Sequence, residues 1–191
     1  MQTINVDLFT ISELSEQARQ KAIEKERENC DVFLDSTVEY IEEILTCLGF
    51  ESPKISYSGF CSQGDGLSFV SDNWQYKKGM LDNIKQVTNS KDVLEIAKGL
   101  MLESKTSGYN LAFYVSRGRS CYHSTIINPT GCFQVSGEMY DRLHFLIMDL
   151  CKVFYRMLEN DYDYQLSDEY IIESLLSNEV MFLSGGKVWS V

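Results

Sequence analysis

The sequence predicts an α+β fold, a curved antiparallel sheet packed by helices, in a single domain over residues 1–191. Three observations favour this class. Apolar residues make up 44% of the chain, which is ordinary for a globular protein. Stretches with helical periodicity and stretches with strand-like alternation both occur. Several of the strand-like stretches are joined by tight turns that contain glycine, as in β-hairpins.

The first third of the chain is predicted to be one strand followed by two helices. Gln2 to Phe9 alternates between apolar and polar residues, which indicates a half-buried strand. Thr10 then opens a turn, with Glu13 as a capping-box partner, and Ser15 is a helix N-cap candidate. The two helices are expected over Glu16–Asn29 and Val32–Leu48.

The middle of the chain is predicted to hold a hairpin and two further helices. Ile55–Phe60 and Leu67–Val70 form the arms of the hairpin, and Cys61–Gly66 is its turn. Asn73 to Gly79 is expected to be a loop. The helical pattern that follows is broken near Thr88, so we expect two helices, the second over about Asp92–Glu103.

The remainder alternates strands and helices. Strands are predicted over Tyr109–Ser116, Tyr122–Asn128 and Cys132–Val135, in one sheet with the hairpin and the N-terminal strand. The longest helix, Glu138–Glu159, is expected to lie across that sheet because its apolar face is broad. An acidic aromatic link precedes a short helix capped by Ser167. The short helix and the closing hairpin are predicted over Asp168–Ser177, Val180–Leu183 and Val188–Val191.

Charge and cysteine content limit the classes of function. The net charge of −11 disfavours direct binding to nucleic acid and favours a basic protein partner, although many cytosolic proteins are equally acidic. The six cysteines form no CxxC pair, so we expect reduced thiols, no metal site and no cofactor. The N-terminus does not resemble a signal peptide, and no apolar run is long enough to span a bilayer. A cytoplasmic protein without membrane contact is expected.

A ligand site is predicted around the turn of the central hairpin. Gly64 and Gly66 flank Asp65 and allow close backbone approach. In the simpler interpretation, Asp65 only satisfies backbone amides of its own turn. In the alternative interpretation, Asp65 lies close to polar residues of a later strand. There His123 acts as a general base, or Arg119 binds an anion through two hydrogen bonds. The candidate ligand-binding residues are Ser62, Gln63, Asp65, Arg119, His123 and Ser124.

A second candidate site is an acidic segment near the C-terminus. Between Glu159 and Glu179 there are seven carboxylates and no lysine or arginine, interleaved with tyrosines. Tyrosine is enriched at protein interfaces, so this segment is a candidate partner-binding surface, with a solvated helix face as the simpler alternative. The candidate residues are Asp161, Tyr162, Asp163, Tyr164, Asp168 and Glu169.

Several segments of the chain are similar to the motifs of one protein family. Phe9–Ala18, FTISELSEQA, is similar to the family's opening F-x-E-L-S-E-x-A-K. The stretch SGFCSQGDGLSF resembles its hallmark SGF-W-SQGDG-A-SF, with Cys61 in place of tryptophan and Leu67 in place of alanine. CYHS at 121–124 resembles its Y-x-H-S, and the SDE, NE and GK groups near the C-terminus resemble its ending. The chain therefore resembles a family of small proteins common in tailed-phage genomes, sometimes labelled antitoxin-like, and this resemblance implies a phage accessory protein.

Two functions are therefore expected as alternatives. The first is a phage-encoded, non-catalytic binding protein that inhibits or modulates a host enzyme or anti-phage defence component in the host cytoplasm. Its partner is a host protein, such as a nucleic-acid-binding or defence protein, met through the acidic surface. The second is a small-molecule, nucleotide-like binding or hydrolytic protein that uses a pocket of Gln63, Asp65, Arg119 and His123.

Overall fold

The α+β prediction is confirmed by a computed structural model that describes residues 5–109, 111–117, 125–130 and 135–189. Within these residues there are six α-helices and one five-stranded antiparallel sheet. The helices are α1 Glu16–Asn29, α2 Asp35–Cys47, α3 Met80–Val87, α4 Lys91–Thr106, α5 Gly137–Gln165 and α6 Asp168–Ser177. The strands are β1 Phe50–Glu51, β2 Lys54–Tyr57, β3 Leu67–Gln75, β4 Ala112–Arg117 and β5 Thr125–Pro129.

The chain divides into two compact units. The terminal unit consists of Met1–Phe33 and Asn160–Val191, and the central unit consists of Leu34–Glu159. Both ends of the chain contribute to the terminal unit, and each unit has its own buried apolar residues. The prediction of a single domain over residues 1–191 stays a prediction.

The sheet of the central unit is organised around its longest strand, β3. The first half of β3 pairs with β2, its second half pairs with β1 on the same side, and β4 pairs with its other side. A bulge between Ser71 and Trp74 interrupts the register with β4. The Ser71 hydroxyl is buried beside the bulge, and its single proton is within hydrogen-bond reach of two carbonyl oxygens, those of Glu51 at 2.8 Å and Asn73 at 2.9 Å, so the hydroxyl is satisfied.

Aromatic rings fill the core of the central unit. Trp74 is fully buried, and its ring stacks on Phe113 at a centroid distance of 4.9 Å. Phe50 meets Phe69 edge-on at 5.1 Å. The Trp74 Nε1–H donates to the carbonyl of Leu48 at 2.8 Å, so burial of the indole leaves no polar group unsatisfied. The strand β1, absent from the predicted elements, supplies Phe50 to this cluster.

Helices α1 and α6 build the terminal unit. Ser15 and Ser167 cap them, accepting hydrogen bonds from the amides of Ala18 and Tyr170, as the sequence predicts for Ser15 and Ser167. Phe9 and Phe182 form a two-way backbone bridge beside these helices. The core of the unit consists of Ile11, Leu14, Ala18, Ala22, Ile23, Ile171, Leu175 and Phe182.

Several predicted element boundaries are wrong. Of the N-terminal strand, the described residues show only the bridge at Phe9, which pairs outside the sheet. The strand β3 continues to Gln75 through residues predicted as a loop, because β1 and β4 pair with it there. The acidic aromatic link is the end of α5, which continues to Gln165. The strand predicted at Cys132–Val135 lies almost wholly outside the described residues.

Candidate functional site

The turn of the central hairpin is held closed by its own residues. The amide of Ser58 donates to the carbonyl of Gly66 at 3.0 Å, and the Gly66 amide donates to the Ser58 hydroxyl at 3.0 Å. Asp65 Oδ2 accepts the amides of Cys61 at 2.8 Å and Ser62 at 2.6 Å. The simpler interpretation of the sequence, in which Asp65 satisfies backbone amides of its own turn, therefore describes what this carboxylate does.

Asp65 also lines a pocket that the sequence does not predict. The pocket has a volume of about 170 Å³. Four of its lining residues come from α5, more than 80 positions further along the chain, namely Met148, Cys151, Lys152 and Tyr155. Helical spacing places Cys151 and Tyr155 on one face of α5, but the pattern alone does not identify the turn they face. The lining residues are Asp65, Gly66, Leu67, Met148, Cys151, Lys152 and Tyr155.

Tyr155 connects the hairpin turn to α5 through one hydrogen bond and one ring contact. Its hydroxyl donates to the carbonyl of Gly59 at 2.9 Å, and its ring lies 5.4 Å from that of Phe60. Burial raises the pKa of Tyr155, and the nearby carboxylates of Asp65 and Glu159 raise it further. The phenol therefore stays protonated and keeps its donor role at neutral pH.

Among the described residues that line the pocket, the one thiol is that of Cys151, and it is not reactive. Cys151 is buried beside the hydroxyl of Thr125, with Sγ and Oγ1 3.5 Å apart. Burial raises the pKa of Cys151 to about 11, so the nucleophilic thiolate is scarce at neutral pH. At about 170 Å³, the pocket is also smaller than the roughly 300–1,000 Å³ that is usual for small-molecule sites.

The predicted partners of Asp65 divide into two groups. Ser62 and Gln63 are exposed in the turn. Arg119, His123 and Ser124 lie outside the described residues. Arg117 and Thr125, which pair with each other, lie at the end of the sheet where β3 begins, because β4 runs antiparallel to β3. The predicted meeting of Asp65 with His123 stays a prediction.

The acidic segment belongs to the terminal unit, and part of it is used to hold that unit together. Gln165 is buried, and its amide exchanges two hydrogen bonds with the backbone of Phe33, at 3.0 and 2.9 Å. The same amide donates to Asp161 Oδ1 at 3.1 Å. Asp161 therefore orients a buried amide, and its carboxylate is engaged inside the fold.

The acidic segment contains no lysine or arginine of its own, and Arg27 of α1 supplies a basic partner for it. Its Nε donates to the carbonyl of Leu166 at 2.8 Å, and its guanidinium pairs with Asp168. This cation offsets the unfavourable effect of acidic side chains near the C-terminus of α5, where the helix dipole is negative. Asp163, Tyr164 and Glu169 are exposed, and Tyr162 is half-buried.

The net charge is concentrated in the terminal unit. That unit holds 13 of the 28 acidic residues and five of the 17 basic residues, which gives a formal net charge of −8. The central unit is about twice as long, yet its 15 acidic and 12 basic residues leave only −3. The acidity noted from the sequence is therefore a property of one unit.

Two further properties concern the described residues only. None of the helices in this part of the chain is long and apolar enough to cross a membrane. The same residues contain no group of three or more His, Cys, Asp or Glu side chains that could hold a metal ion.

Comparison with known proteins identifies one family. No curated protein and no solved structure shows a significant match. A family described as "Domain of unknown function (DUF8835)" matches residues 33–168, which include the central unit, its hairpin turn and all of α5. The match leaves most of the terminal unit outside. Since it covers more than half of the chain, the protein belongs to the DUF8835 family.

Proposed function

We propose that this protein is a non-catalytic binding protein that engages a basic surface of another protein through its terminal unit. The observation that carries the proposal is the formal net charge of −8 on that unit. A field of one sign steers oppositely charged partners and repels nucleic acid and anionic membrane surfaces. The partner is a protein with a basic face, such as a nucleic-acid-binding or defence protein.

The exposed end of the acidic segment supplies the contact chemistry. Asp163 and Glu169 are exposed, and Tyr164, 49% exposed, packs edge-on against Tyr170 at 5.4 Å. A tyrosine held by a neighbouring ring offers rigid apolar area with little loss of side-chain freedom on binding. Asp161 and Asp168 have partners within the unit, so we assign them a supporting role.

The resemblance to tailed-phage accessory proteins sets the biological context of the proposal. It implies that the protein is made during infection and acts in the host cytoplasm. A binding protein of this kind inhibits or modulates a host enzyme or an anti-phage defence component by covering its basic surface. Two observations support the non-catalytic assignment. The Asp65 carboxylate accepts hydrogen bonds from amides of its own turn, and the raised pKa of Cys151 keeps its side chain in the protonated thiol form.

A capture experiment with matched variants tests the proposal. Immobilised protein is exposed to lysate of the infected host, and recovered proteins are quantified in low and high salt. We expect a stoichiometric basic partner whose capture falls about tenfold in the Asp163→Asn/Glu169→Gln double variant, since two exposed charges are lost. The matched control, Asp72→Asn/Glu39→Gln, removes two exposed acids from the central unit. Absence of a stoichiometric partner, or equal loss in both variants, contradicts the proposal.

A second candidate function concerns the hairpin turn, and the observation that supports it is the place of Asp65 in the lining of a pocket. Asp65 lines this pocket together with Lys152 and Tyr155, a set able to hold a small polar ligand. The alternative expected from the sequence is binding or hydrolysis of a nucleotide-like molecule by Gln63, Asp65, Arg119 and His123, and of these four residues Asp65 is the one that lines the pocket in the described part of the chain. A thermal-shift screen with nucleotides tests it, because a ligand that binds only the folded state raises the melting temperature. A shift abolished by His123→Ala and Gln63→Ala supports it, and unchanged melting with every nucleotide rejects it.

A further inference from the structure

The terminal unit contains an apolar groove at the end of α6. Its volume is about 340 Å³, which falls within the roughly 300–1,000 Å³ that is usual for sites that receive a ligand group. Four of its lining side chains are apolar, and Leu176 is 43% exposed. The lining residues are Thr10, Leu175, Leu176, Glu179, Val180 and Met181.

Glu179 is the one charged residue among the described residues that line this groove, and it has an unusual backbone conformation. The amide of Glu179 donates to the carbonyl of Leu176, and the amide of Val180 donates to that of Leu175, which is the hydrogen-bond pattern of a Schellman helix end. Glu179 occupies the left-handed position of this motif, with φ of 52°, where glycine is strongly preferred. Strained positions of this kind persist most often at functional sites.

Glu179 brings a charged residue to the lining of the groove. The residue is exposed, and within the described part of the chain it takes part in no ion pair. A glycine here would relax the backbone and remove the charge. The position therefore combines a conformational cost with a charge that the fold itself does not use.

We infer that this groove is the docking site for a basic amphipathic peptide segment of the partner, which inserts an apolar side chain between Leu176 and Met181 and places lysine or arginine beside Glu179. The inference rests on the proposed function and specifies the partner's recognition element. Charge complementarity selects this occupant, since a unit of net charge −8 repels acidic segments and anionic lipid. The apolar lining requires an anchor that a purely polar basic segment lacks.

Three synthetic peptides of about 15 residues, long enough to form an amphipathic helix, test the inference. One is built from lysine and leucine, one replaces leucine by serine, and one replaces lysine by glutamate. Binding of each to the full chain is measured by fluorescence anisotropy at low and high salt. We expect the lysine–leucine peptide to bind at least about tenfold more tightly than the lysine–serine peptide, and the glutamate–leucine peptide not to bind.

Two single variants and one matched control locate the binding. Leu176→Ser and Glu179→Gln should each weaken the lysine–leucine peptide by about fivefold, since each removes one contact of the groove. Glu24→Gln removes one exposed acid of the same unit, on α1 and outside the groove lining, and should change affinity less than about twofold. Glu179→Gly should weaken binding while leaving the melting temperature no lower than that of the wild type, because it relieves the left-handed strain.

The possible outcomes separate this inference from the proposed function. If the lysine–serine peptide binds as tightly as the lysine–leucine peptide, or if Leu176→Ser has no effect, charge alone drives binding and the groove assignment fails while the acidic surface stands. If neither basic peptide binds, the groove assignment and the acidic surface both fail. Equal losses in Glu179→Gln and Glu24→Gln also overturn the groove, since position would then not matter.

Discussion

The two units differ in what their side chains do. The central unit buries aromatic rings in a sheet and nearly balances its charges, at −3 over Leu34–Glu159. The terminal unit has a small core that is mainly aliphatic, and its net charge is −8. Self-repulsion of this size opposes compactness and favours contact with an opposite charge. The comparison indicates that the central unit supplies structural stability and that the terminal unit supplies interaction.

The largest effect is expected from removing the central aromatic ring. Trp74→Ala should lower the free energy of unfolding by about 3–5 kcal/mol, because it leaves a cavity and removes the hydrogen bond to Leu48. Urea denaturation followed by circular dichroism measures the loss. Trp189→Ala is the matched control in the terminal unit, where the side chain is 39% exposed, and should cost less than about 1 kcal/mol. Equal costs would break the comparison between the units.

A smaller loss of stability is expected from a substitution at Gly186, where the missing side chain lets two segments of the terminal unit pack closely against each other. Gly186 has φ of 82°, and a Cβ there would lie 2.3 Å from the carbonyl oxygen of Ala18. Gly186→Ala should therefore destabilise the protein by about 2 kcal/mol. Gly185→Ala should change stability by less than about 0.5 kcal/mol, because its Cβ meets no atom within 4 Å. A thermal melt in which both variants behave alike would show that this contact does not hold the unit.

The hairpin turn of the central unit gives an intermediate test. Asp65→Ala removes the acceptor of the Cys61 and Ser62 amides and should cost about 1–2 kcal/mol. Hydrogen exchange at these two amides should accelerate in the variant. The neighbouring exposed change Gln63→Ala should leave both stability and exchange within error. If Asp65→Ala leaves amide exchange unchanged, the carboxylate does not hold the turn in place. That result would instead favour a role for Asp65 in binding a ligand in the pocket.

The smallest effect concerns the pH dependence of the terminal unit. Hydrogen bonds from the amide and hydroxyl of Thr10 lower the pKa of Glu13 below its usual 4.5. A lowered folded-state pKa contributes stability above the unfolded-state pKa, and that contribution is lost as the pH falls through the folded-state value. Melting temperatures recorded from neutral pH down through the acid range should fall less steeply for Glu13→Gln than for the wild type. Parallel curves would contradict this assignment.

The bounds of some helices could be predicted from local sequence, whereas the bounds of others depend on contacts with residues far away in the chain. Helices α1 and α6 have the predicted bounds because Ser15 and Ser167 cap them through their own hydroxyls. The end of α5 was missed because Asp161 to Tyr164 resembles a link. The helix continues because Arg27 and Phe33, more than about 130 positions away, bind its last turn. No local pattern carries that information.

The candidate sites show the same limit. The bond from Asp65 to its own turn follows from the Asp-Gly sequence. The pocket beside it depends on Tyr155, which the sequence places on a helix face without indicating the element opposite. The groove at α6 depends on a left-handed glutamate, which residue type alone disfavours and therefore does not predict.

The most direct measurement is the capture of the basic partner from lysate of the infected host by two double variants that each lose two exposed acids. Asp163→Asn/Glu169→Gln changes the terminal unit, and Asp72→Asn/Glu39→Gln changes the central unit. We predict that capture of the partner falls about tenfold in the first variant and less than about twofold in the second. Equal losses in the two variants would contradict the assignment of binding to the terminal unit.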